Sequence, residues 1–494
     1  MRVRKVVVVL TVLVLLLNAS VPFASAGQPA PVRAQPQLLE LAAGQPEQTV
    51  SVIVQKAGQT SQPEQRVLEL GGKVTSDLRI INAFAAELSA ASAILLSAEP
   101  SVKWVSLNAG VVKSGRPGPK TVSQTNAGNA YLDSIRASAL RQQQPDLNGS
   151  GITVAVVDSG ISLRPELEGR LLADVLINST ASTAEDGYGH GTHIAGIIGG
   201  TGFYEGVAPG VNLINVKVSA DNGGGTIADV VAGLQWIYDN RDAYNIRVVN
   251  ISINSSVVEN YFNSPLDAAV EVLWFDGIVV VVSSGNNGKP KGILYPPAND
   301  PFVITVGSVD DQGTPELNDD VLSSYTASGN TENRVYKPEI LAPGSDIYSL
   351  LASSTCTIAV EHPANVVDGQ YLRLSGTSMS AAVTSGAVAL LLQDEPGLTP
   401  DQVKYRLMST GKLIYGKIWS RYLDIEAAVN GTSTQSANTG RRISNLLTSA
   451  EQNVTTWDSV AWNSVAWNSV AWNSVAWNSV AWNSVAWNSL VWNE

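Results

Sequence analysis

Three polar residues, each set among small residues, could together carry out acyl transfer. Asp158 ends an apolar run, His190 lies within Gly-His-Gly-Thr-His, and Ser378 lies within Gly-Thr-Ser-Met-Ser. A serine hydroxyl becomes an effective nucleophile when an imidazole accepts its proton, and a buried carboxylate fixes the tautomer of that imidazole. The small neighbours would let a polypeptide approach closely. We therefore predict a catalytic triad of nucleophile, base and orienting carboxylate.

A fourth motif, Ser-Ser-Gly-Asn-Asn-Gly, follows the apolar run 278–282 and supplies an amide group. An amide side chain held at that position would donate a hydrogen bond to the oxyanion of a tetrahedral intermediate, beside the backbone N–H of Ser378. A serine at a helix N-terminus also lies where backbone N–H groups favour negative charge. The motif therefore predicts an oxyanion hole.

These residues also have interpretations that involve no catalysis. Asp158 could cap a turn, Asn286 could belong to an ordinary turn, and Ser378 could cap a helix. His190 and His193 could be packed polar residues or a pair of metal ligands. Histidine is rare in this chain, with three residues, and the supporting residues that a metal site needs are not evident around this pair. We assign no residue to a metal.

The elements that would position these motifs alternate between strand and helix from residue 151 onward. Continuous apolar runs predict strands at 152–157, 211–218, 248–253, 278–282 and 303–306. Helical patterns lie between them, at 194–198, 227–238 and 266–274. This alternation predicts an α/β fold with a doubly wound, mainly parallel sheet and helices on both faces. Functional residues of such a sheet gather at the carboxyl ends of the strands.

Taken together, the motifs resemble those of the subtilisin-like serine peptidases, the subtilase family, whose catalytic residues follow the order Asp, His, Ser in the chain. The resemblance covers residues 151–428 and includes Gly-Val-Ala-Pro at 206–209, Tyr-Pro at 295–296 and Leu-Ala-Pro-Gly at 341–344. It implies an endopeptidase that hydrolyses proteins and peptides through an acyl-enzyme on Ser378. No cofactor is required for that chemistry. Structural calcium is common in the family, but no ligand set is assigned in this chain.

The resemblance also assigns the other roles in the site. His190 acts as base and then as acid, Asp158 orients it, and Asn286 stabilises the oxyanion. The substrate lies extended and pairs through its backbone with two segments of the cleft, which contain Gly223, Gly224, Gly225, Ser252, Ile253 and Asn254. Family members often have glycine at the position of Asn254, and this departure bears on the shape of the cleft.

The N-terminal part resembles the inhibitory propeptide of the same enzymes. Four segments carry this resemblance and predict a small α+β domain over residues 27–112: 50–54, 71–74, 81–88 and 100–105. The resemblance implies a folding chaperone and intramolecular inhibitor whose C-terminal end occupies the cleft until it is cut. We expect autocleavage between Asn108 and Gln124. A maturation linker with the start of the mature chain (113–149) then leads into the catalytic domain (150–430).

Composition and the first residues indicate a secreted globular protein. A net charge of −12 argues against nucleic acid as a partner, and a single cysteine, Cys356, excludes an intrachain disulfide. Residues 1–26 form a predicted signal peptide, because basic residues precede an apolar run at 6–17 and Ala-Ser-Ala follows at 24–26. We therefore expect an extracellular or cell-envelope location.

The C-terminus carries a repeat of Trp-Asn-Ser-Val-Ala. After a polar stretch at 431–456, predicted as a flexible linker, eight of the twelve tryptophans recur at five-residue intervals across 457–494. This period matches neither a helix nor a flat strand. We interpret the tail as a contact with the cell envelope, and a repeat expansion without a defined role is the alternative. Two rival functions are a non-catalytic binding module, which the intact triad disfavours, and an adhesion or envelope protein whose tail is the main function.

Overall fold

A computed structural model describes residues 32–113, 116–117, 129–288, 294–332, 334–413 and 420–447. The predicted signal peptide and the tryptophan repeats lie outside the described residues, as do parts of both predicted linkers. Within the described ranges, no helix is both long enough and apolar enough to cross a membrane.

The N-terminal unit is a four-stranded antiparallel sheet with helices packed on one face. Its elements in chain order are α1 (Pro36–Gly44), β1 (Thr49–Lys56), α2 (Gln62–Glu69), β2 (Lys73–Leu78), β3 (Ala83–Ser89), α3 (Ala90–Ser97) and β4 (Val102–Leu107). The strands stand in the order β2-β3-β1-β4. Side chains of β1 alternate between the faces, so Val52 and Val54 pack with the helices and Ile53 packs with the larger unit.

The larger unit follows two short strands that lie between the units, β5 (Val111–Lys113) and β6 (Arg116–Pro117). Its first half contains α4 (Tyr131–Ser134), α5 (Ala137–Gln143), β7 (Thr153–Asp158), β8 (Leu171–Leu176), α6 (His190–Gly199), β9 (Asn212–Lys217), α7 (Ile227–Asn240), β10 (Ile246–Ile251), β11 (Ile253–Ser255), α8 (Pro265–Phe275) and β12 (Val279–Ser283). Its second half contains β13 (Ile304–Asp310), β14 (Val321–Leu322), β15 (Gly329–Asn330), β16 (Tyr336–Lys337), β17 (Ile340–Pro343), β18 (Ile347–Leu350), α9 (Thr357–Glu361), β19 (Val366–Val367), β20 (Tyr371–Ser375), α10 (Thr377–Asp394), α11 (Pro400–Thr410), β21 (Arg421–Tyr422) and α12 (Ile425–Val429).

A nine-stranded sheet forms the centre of the larger unit. Its strands stand in the order β21-β17-β13-β12-β10-β7-β9-β8, and all neighbours along this path are parallel; β14 pairs with β13 in the antiparallel sense. Helices α6 and α10 pack together on one face, while α7 and α8 pack together on the other. Every residue of β7 and β12 is therefore buried. The predicted doubly wound parallel sheet is confirmed.

The second face of the N-terminal sheet docks on helices α7 and α8 of the larger unit. Ile80 and Ile81, which follow β2, belong to the same hydrophobic core as these helices. The backbone N–H of Ile80 donates a hydrogen bond to the Gln235 side chain at 3.0 Å, and Arg79 pairs with Asp239. Apolar and polar contacts thus join the two units.

The segment predicted as a flexible linker, 431–456, differs from that expectation over its described part. Ile443 and Leu446 are buried, and the backbone N–H of Ser444 donates to the carboxylate of Glu271 on α8 at 2.8 Å. The prediction of flexibility is wrong for this stretch because a few apolar side chains among polar neighbours are enough to anchor it. Residues 448–456 lie outside the described ranges.

Candidate active site

Asp158 and His190 form a buried, hydrogen-bonded pair. Asp158 is the last residue of β7, and His190 is the first residue of α6. The Nδ1 atom of His190 lies 2.8 Å from Oδ1 and 3.0 Å from Oδ2 of Asp158. Burial raises the pKa of the Asp158 carboxyl, but the charge and the hydrogen bond of His190 act in the opposite direction, and the pKa lies below its ordinary value. Asp158 is therefore ionised and fixes the orientation of the imidazole.

Two glycines that flank the histidine allow the first turn of α6 to pack closely against neighbouring segments of the chain. At Gly191, an added Cβ atom would lie 2.1 Å from the carbonyl oxygen of Gly160. Gly189 has a φ of +100°, and a Cβ atom there would lie 2.5 Å from the Sγ atom of Cys356. Gly191 is therefore needed for the approach of α6 to the end of β7, and so for the carboxylate–imidazole contact itself, in addition to any access for a substrate.

A second buried carboxylate, which the sequence analysis did not identify, holds this helix terminus in place. Asp186 accepts hydrogen bonds from the backbone N–H groups of Gly189 (2.7 Å) and Thr192 (2.8 Å) and from the hydroxyl of Ser159 (2.8 Å). Asp186 therefore links the end of β7 to the start of α6. Its position shortly before a helix N-terminus is the sequence signal that could have identified it.

Ser378 lies at the N-terminus of helix α10, which packs against α6, and it is fully buried. Its Oγ atom donates a hydrogen bond to the carbonyl oxygen of Ser252 at 3.3 Å. The Nε2 atom of His190 has no hydrogen-bond partner among the described residues. The structure thus brings the carboxylate and the imidazole into contact but shows no imidazole–hydroxyl hydrogen bond. Catalytic hydrogen bonds are often long or poorly aligned until a Michaelis complex forms.

Asn286 is held against the terminus of the same helix. It follows β12, and its Oδ1 atom accepts hydrogen bonds from the backbone N–H and from the hydroxyl of Thr377, each at 3.1 Å. The hydroxyl of Thr377 also accepts a hydrogen bond from the N–H of Gly285 at 3.2 Å. These contacts orient the amide with its oxygen engaged as an acceptor, so its nitrogen is the atom that can act as a donor.

The predicted substrate cleft is occupied by the chain's own strand β5. This strand pairs antiparallel with β11, and Val112 lies opposite Asn254. On the other side of β5, the backbone N–H of Val111 donates a hydrogen bond to the carbonyl oxygen of Gly225 at 2.9 Å. Strand β5 therefore lies between the two segments that were predicted to bind an extended substrate.

The other predicted cleft residues make different contacts. The carbonyl oxygen of Gly223 accepts a hydrogen bond from the ammonium group of Lys113, a residue assigned from the sequence to the maturation linker. The N–H of Gly224 donates to a side chain of its own loop at 2.9 Å. The side-chain amide of Asn254 donates to the carbonyl oxygen of Ser283 at 3.1 Å, so this side chain is directed toward β12.

The chain is paired again just beyond the cleft. Strand β6 pairs antiparallel with β20, with Arg116 opposite Ser375 and Pro117 opposite Leu374. Strand β20 ends three residues before Ser378. The chain is therefore paired with the larger unit on both sides of residues 114 and 115.

His193 has an environment unlike that of His190. Its Nε2 atom lies 3.0 Å from the carbonyl oxygen of Leu372 and 3.2 Å from that of Ile347. Burial, together with the charge of His190, lowers the pKa of the His193 imidazole to about 3. The ring is therefore neutral and donates from Nε2. Within the described ranges, no group of three or more His, Cys, Asp or Glu residues could hold a metal ion.

Known proteins with similar sequences are serine peptidases. A model of the subtilase family matches residues 149–452. The serine protease AprX of Bacillus subtilis (strain 168) is 35% identical over 362 residues, which represent 71% of this chain and 77% of the relative. Subtilisin E of the same strain is 31% identical over 363 residues, which represent 71% of this chain and 82% of that protein.

A solved structure with a similar fold is that of fervidolysin from Fervidobacterium pennivorans, described as a keratinolytic enzyme related to subtilisin. The TM-score is 0.60 at 24% sequence identity, and the match covers 79% of this chain and 62% of that chain. This likeness supports the fold. The family match spans more than half of the chain and includes the Asp158–His190 pair and Ser378. The chain therefore belongs to the subtilase family and is a subtilisin-like serine endopeptidase.

Proposed function

We propose that the chain hydrolyses peptide bonds of proteins through an acyl-enzyme on Ser378. His190 accepts the proton of the Ser378 hydroxyl as its oxygen attacks the carbonyl carbon, and Asp158 stabilises the imidazolium. Asn286 and the backbone N–H of Ser378 donate to the oxyanion. The imidazolium then protonates the leaving amine, and water releases the acid in a second, equivalent step. The observation that carries this proposal is the buried Asp158–His190 pair, 2.8 Å apart, beside a cleft that binds an extended segment.

Hydrolysis of casein by the purified mature protein tests this proposal. The Ser378→Ala variant is not expected to process itself, so its N-terminal unit is removed by a separate protease. It should then show a turnover number lower by roughly 10⁶-fold, as loss of the nucleophile does in a subtilisin. Ser380→Ala is a matched control on the same helix, because its hydroxyl donates to the carbonyl oxygen of Ala342 at 2.9 Å. This control should keep a turnover number of the same order as the parent. Undiminished turnover in Ser378→Ala would exclude the proposed nucleophile.

We also propose that residues 27–112 form an inhibitory propeptide. Two observations support this role. Strand β5, at the C-terminal end of the unit, fills the cleft between β11 and Gly225. The four-stranded sheet docks on helices α7 and α8, away from the catalytic residues, and so presents β5 to the cleft. Occupation by an intramolecular segment keeps protein substrates out until the segment is cut and released.

The pairing register supports one position for the maturation cut. Lys113 lies opposite Ile253 in the β5–β11 ladder. The preceding residue of the larger unit is Ser252, whose carbonyl oxygen accepts the hydrogen bond from the Ser378 hydroxyl. We propose that this antiparallel register continues by one residue, which would bring the carbonyl group of residue 114 to the nucleophile. The bond cleaved would then be the peptide bond that joins residues 114 and 115, both of which lie outside the described residues.

N-terminal sequencing of the purified protein tests the position of this cut. The mature chain should begin at Gly115, and the Ser378→Ala precursor should stay intact on prolonged incubation. Self-processing of the purified Ser378→Ala precursor would refute autocleavage. A mature chain that begins outside residues 114–116 would refute the proposal that the pairing register of β5 with β11 determines the cut.

We propose secretion by a signal peptide at 1–26, a catalytic domain at 150–430 and contact with the cell envelope through the repeats at 457–494. The support for these assignments is the sequence pattern, since the leader and the repeats lie outside the described residues. Deletion of the residues after Val454 should shift activity from the cell-bound fraction to the medium. An unchanged distribution of activity between cells and medium would contradict the proposed contact with the cell envelope.

A further inference from the structure

The ammonium group of Lys113, the last residue of β5, is enclosed by three groups of the larger unit. Its Nζ atom donates to the hydroxyl of Ser219 at 2.7 Å and to the carbonyl oxygen of Gly223 at 3.0 Å. It also lies 4.3 Å from the centre of the Tyr188 ring, over the face of that ring. An ammonium group has three N–H donors, and an aromatic face attracts a cation. The enclosure therefore matches a cationic side chain in both charge and geometry.

The ammonium cage, defined as Tyr188, Ser219 and Gly223, is fixed by the fold of the larger unit. Ser219 is fully buried just beyond the end of β9. Gly223 has a φ of +84°, and a Cβ atom there would lie 2.8 Å from the Tyr188 ring, so the loop packs directly on this ring. The carbonyl oxygen of Tyr188 accepts a hydrogen bond from the N–H of Ile358 in α9 at 3.0 Å. The cage thus belongs to the catalytic unit and meets any segment that enters the cleft.

Buried carboxylates favour a cation at this place in the cleft. Burial is the main cause that lowers the pKa of the Lys113 ammonium group to about 8, and the charges of Asp158 and Asp186 keep the pKa from falling lower. The charge of Lys217 lowers the pKa of Lys113, but the ammonium group of Lys217 itself pairs with Asp221 at 2.7 Å. Lys113 is therefore mainly charged at neutral pH.

Side chains along β5 alternate between two sides, so the catalytic unit contacts only every second side chain of this segment. Val111 is 7% exposed and packs in the core of the larger unit, whereas Val112 is 52% exposed. Successive side chains of a strand point to opposite sides. Lys113 therefore faces the catalytic unit together with Val111, while the position between them is open to solvent.

We propose that the ammonium cage is a specificity site, which selects a lysine side chain at the substrate residue that lies opposite Ile253. This residue is the second before the cleaved bond. The inference rests on the proposed function, because it takes the path of β5 as the path of a substrate. The preferred substrate is a protein segment in which an apolar residue, an unconstrained residue and a lysine precede the residue whose carbonyl group is attacked.

Internally quenched peptides and the mature enzyme obtained from the full chain test this inference. The parent peptide has the sequence of residues 109–118, and three variants carry arginine, norleucine or glutamate in place of the lysine. We expect kcat/KM for the lysine peptide to exceed that for norleucine by about tenfold or more, since two charge-assisted hydrogen bonds and a cation–aromatic contact are lost. The glutamate peptide should be the poorest substrate, and the arginine peptide should lie between lysine and norleucine.

Enzyme variants assign the preference to the cage. Ser219→Ala and Tyr188→Leu should lower kcat/KM for the lysine peptide by a larger factor than for the norleucine peptide, so the ratio of the two values should fall. Tyr188→Phe keeps the ring and should keep the preference. The peptide series with the unaltered enzyme decides the question even if a variant fails to fold.

The outcomes separate this inference from the proposed function. Equal kcat/KM values for lysine and norleucine peptides would overturn the specificity site and leave the peptidase intact. Cleavage of casein without cleavage of any peptide in the series would also overturn it. A protein that cleaves neither casein nor peptides would overturn both the inference and the proposed function.

Discussion

Two neighbouring valines of β5 make it possible to measure how strongly the cleft holds the N-terminal unit. Val111 is 7% exposed, and a Cβ atom at Gly225 would lie 3.3 Å from its Cγ2 atom. Val112 is 52% exposed in the same strand. Val111→Ala removes two buried carbon atoms, which costs about 1.6 kcal/mol at about 0.8 kcal/mol each. A cavity left behind would increase this loss to about 2.5 kcal/mol.

The assay follows release of the N-terminal unit after the proposed self-cleavage of the chain. Dilution of the processed complex starts dissociation, and activity toward a small peptide reports the free enzyme. Because about 1.4 kcal/mol corresponds to a factor of ten, Val111→Ala should shorten the half-time of release by about 15- to 70-fold. Val112→Ala is the matched control and should change it by less than about twofold. Equal half-times for the two variants would refute the binding of β5 in the cleft as described.

Three further predictions concern charge and hydrogen bonding. Asp158→Asn should lower kcat by about 10⁴-fold on a fluorogenic peptide, because the imidazole tautomer is no longer fixed, and an unchanged kcat would contradict this role. Asn286→Leu should lower kcat by about 10²- to 10³-fold with little change in KM, the range known for the oxyanion donor of a subtilisin, and retained kcat would exclude that role. Burial raises the pKa of the Glu259 carboxyl from 4.5 to about 8, so the folded chain binds this proton more tightly than the unfolded chain. The stability that this group contributes is present below about pH 4.5 and is lost as the pH rises through about 8. In the Ser378→Ala precursor, Glu259→Gln should therefore reduce the fall in Tm across this interval, and an identical fall in both proteins would argue against the pKa shift.

The central strands could be predicted from the sequence because each is a continuous apolar run between covering helices. The predicted runs 152–157 and 278–282 coincide within one residue with β7 and β12. Helix bounds were less accurate, since apolar patterns detect only the residues that face the core. Helix α6 begins at His190, four residues before the apolar pattern, because its first turn consists of small and polar residues.

The contacts that complete the site could not be predicted, because they join residues that are far apart in the chain. Lys113 meets Ser219 across 106 positions, and Asp186 meets Ser159 across 27 positions. A periodic pattern of apolar residues in the sequence does not indicate such pairs. The predicted linker failed for a related reason, since burial of Leu446 depends on a surface formed by other parts of the chain.

Labelling with a serine-directed fluorophosphonate tests the central claim most directly. The reagent reacts with a serine whose hydroxyl is activated by an imidazole and whose adduct is stabilised in an oxyanion hole. In the mature protein, we expect one labelled peptide that contains Ser378. We expect no label in the His190→Ala variant after a separate protease has removed its N-terminal unit. Absence of label in an enzyme that hydrolyses casein, or modification of a different serine, would contradict the assignment of Ser378 as the nucleophile.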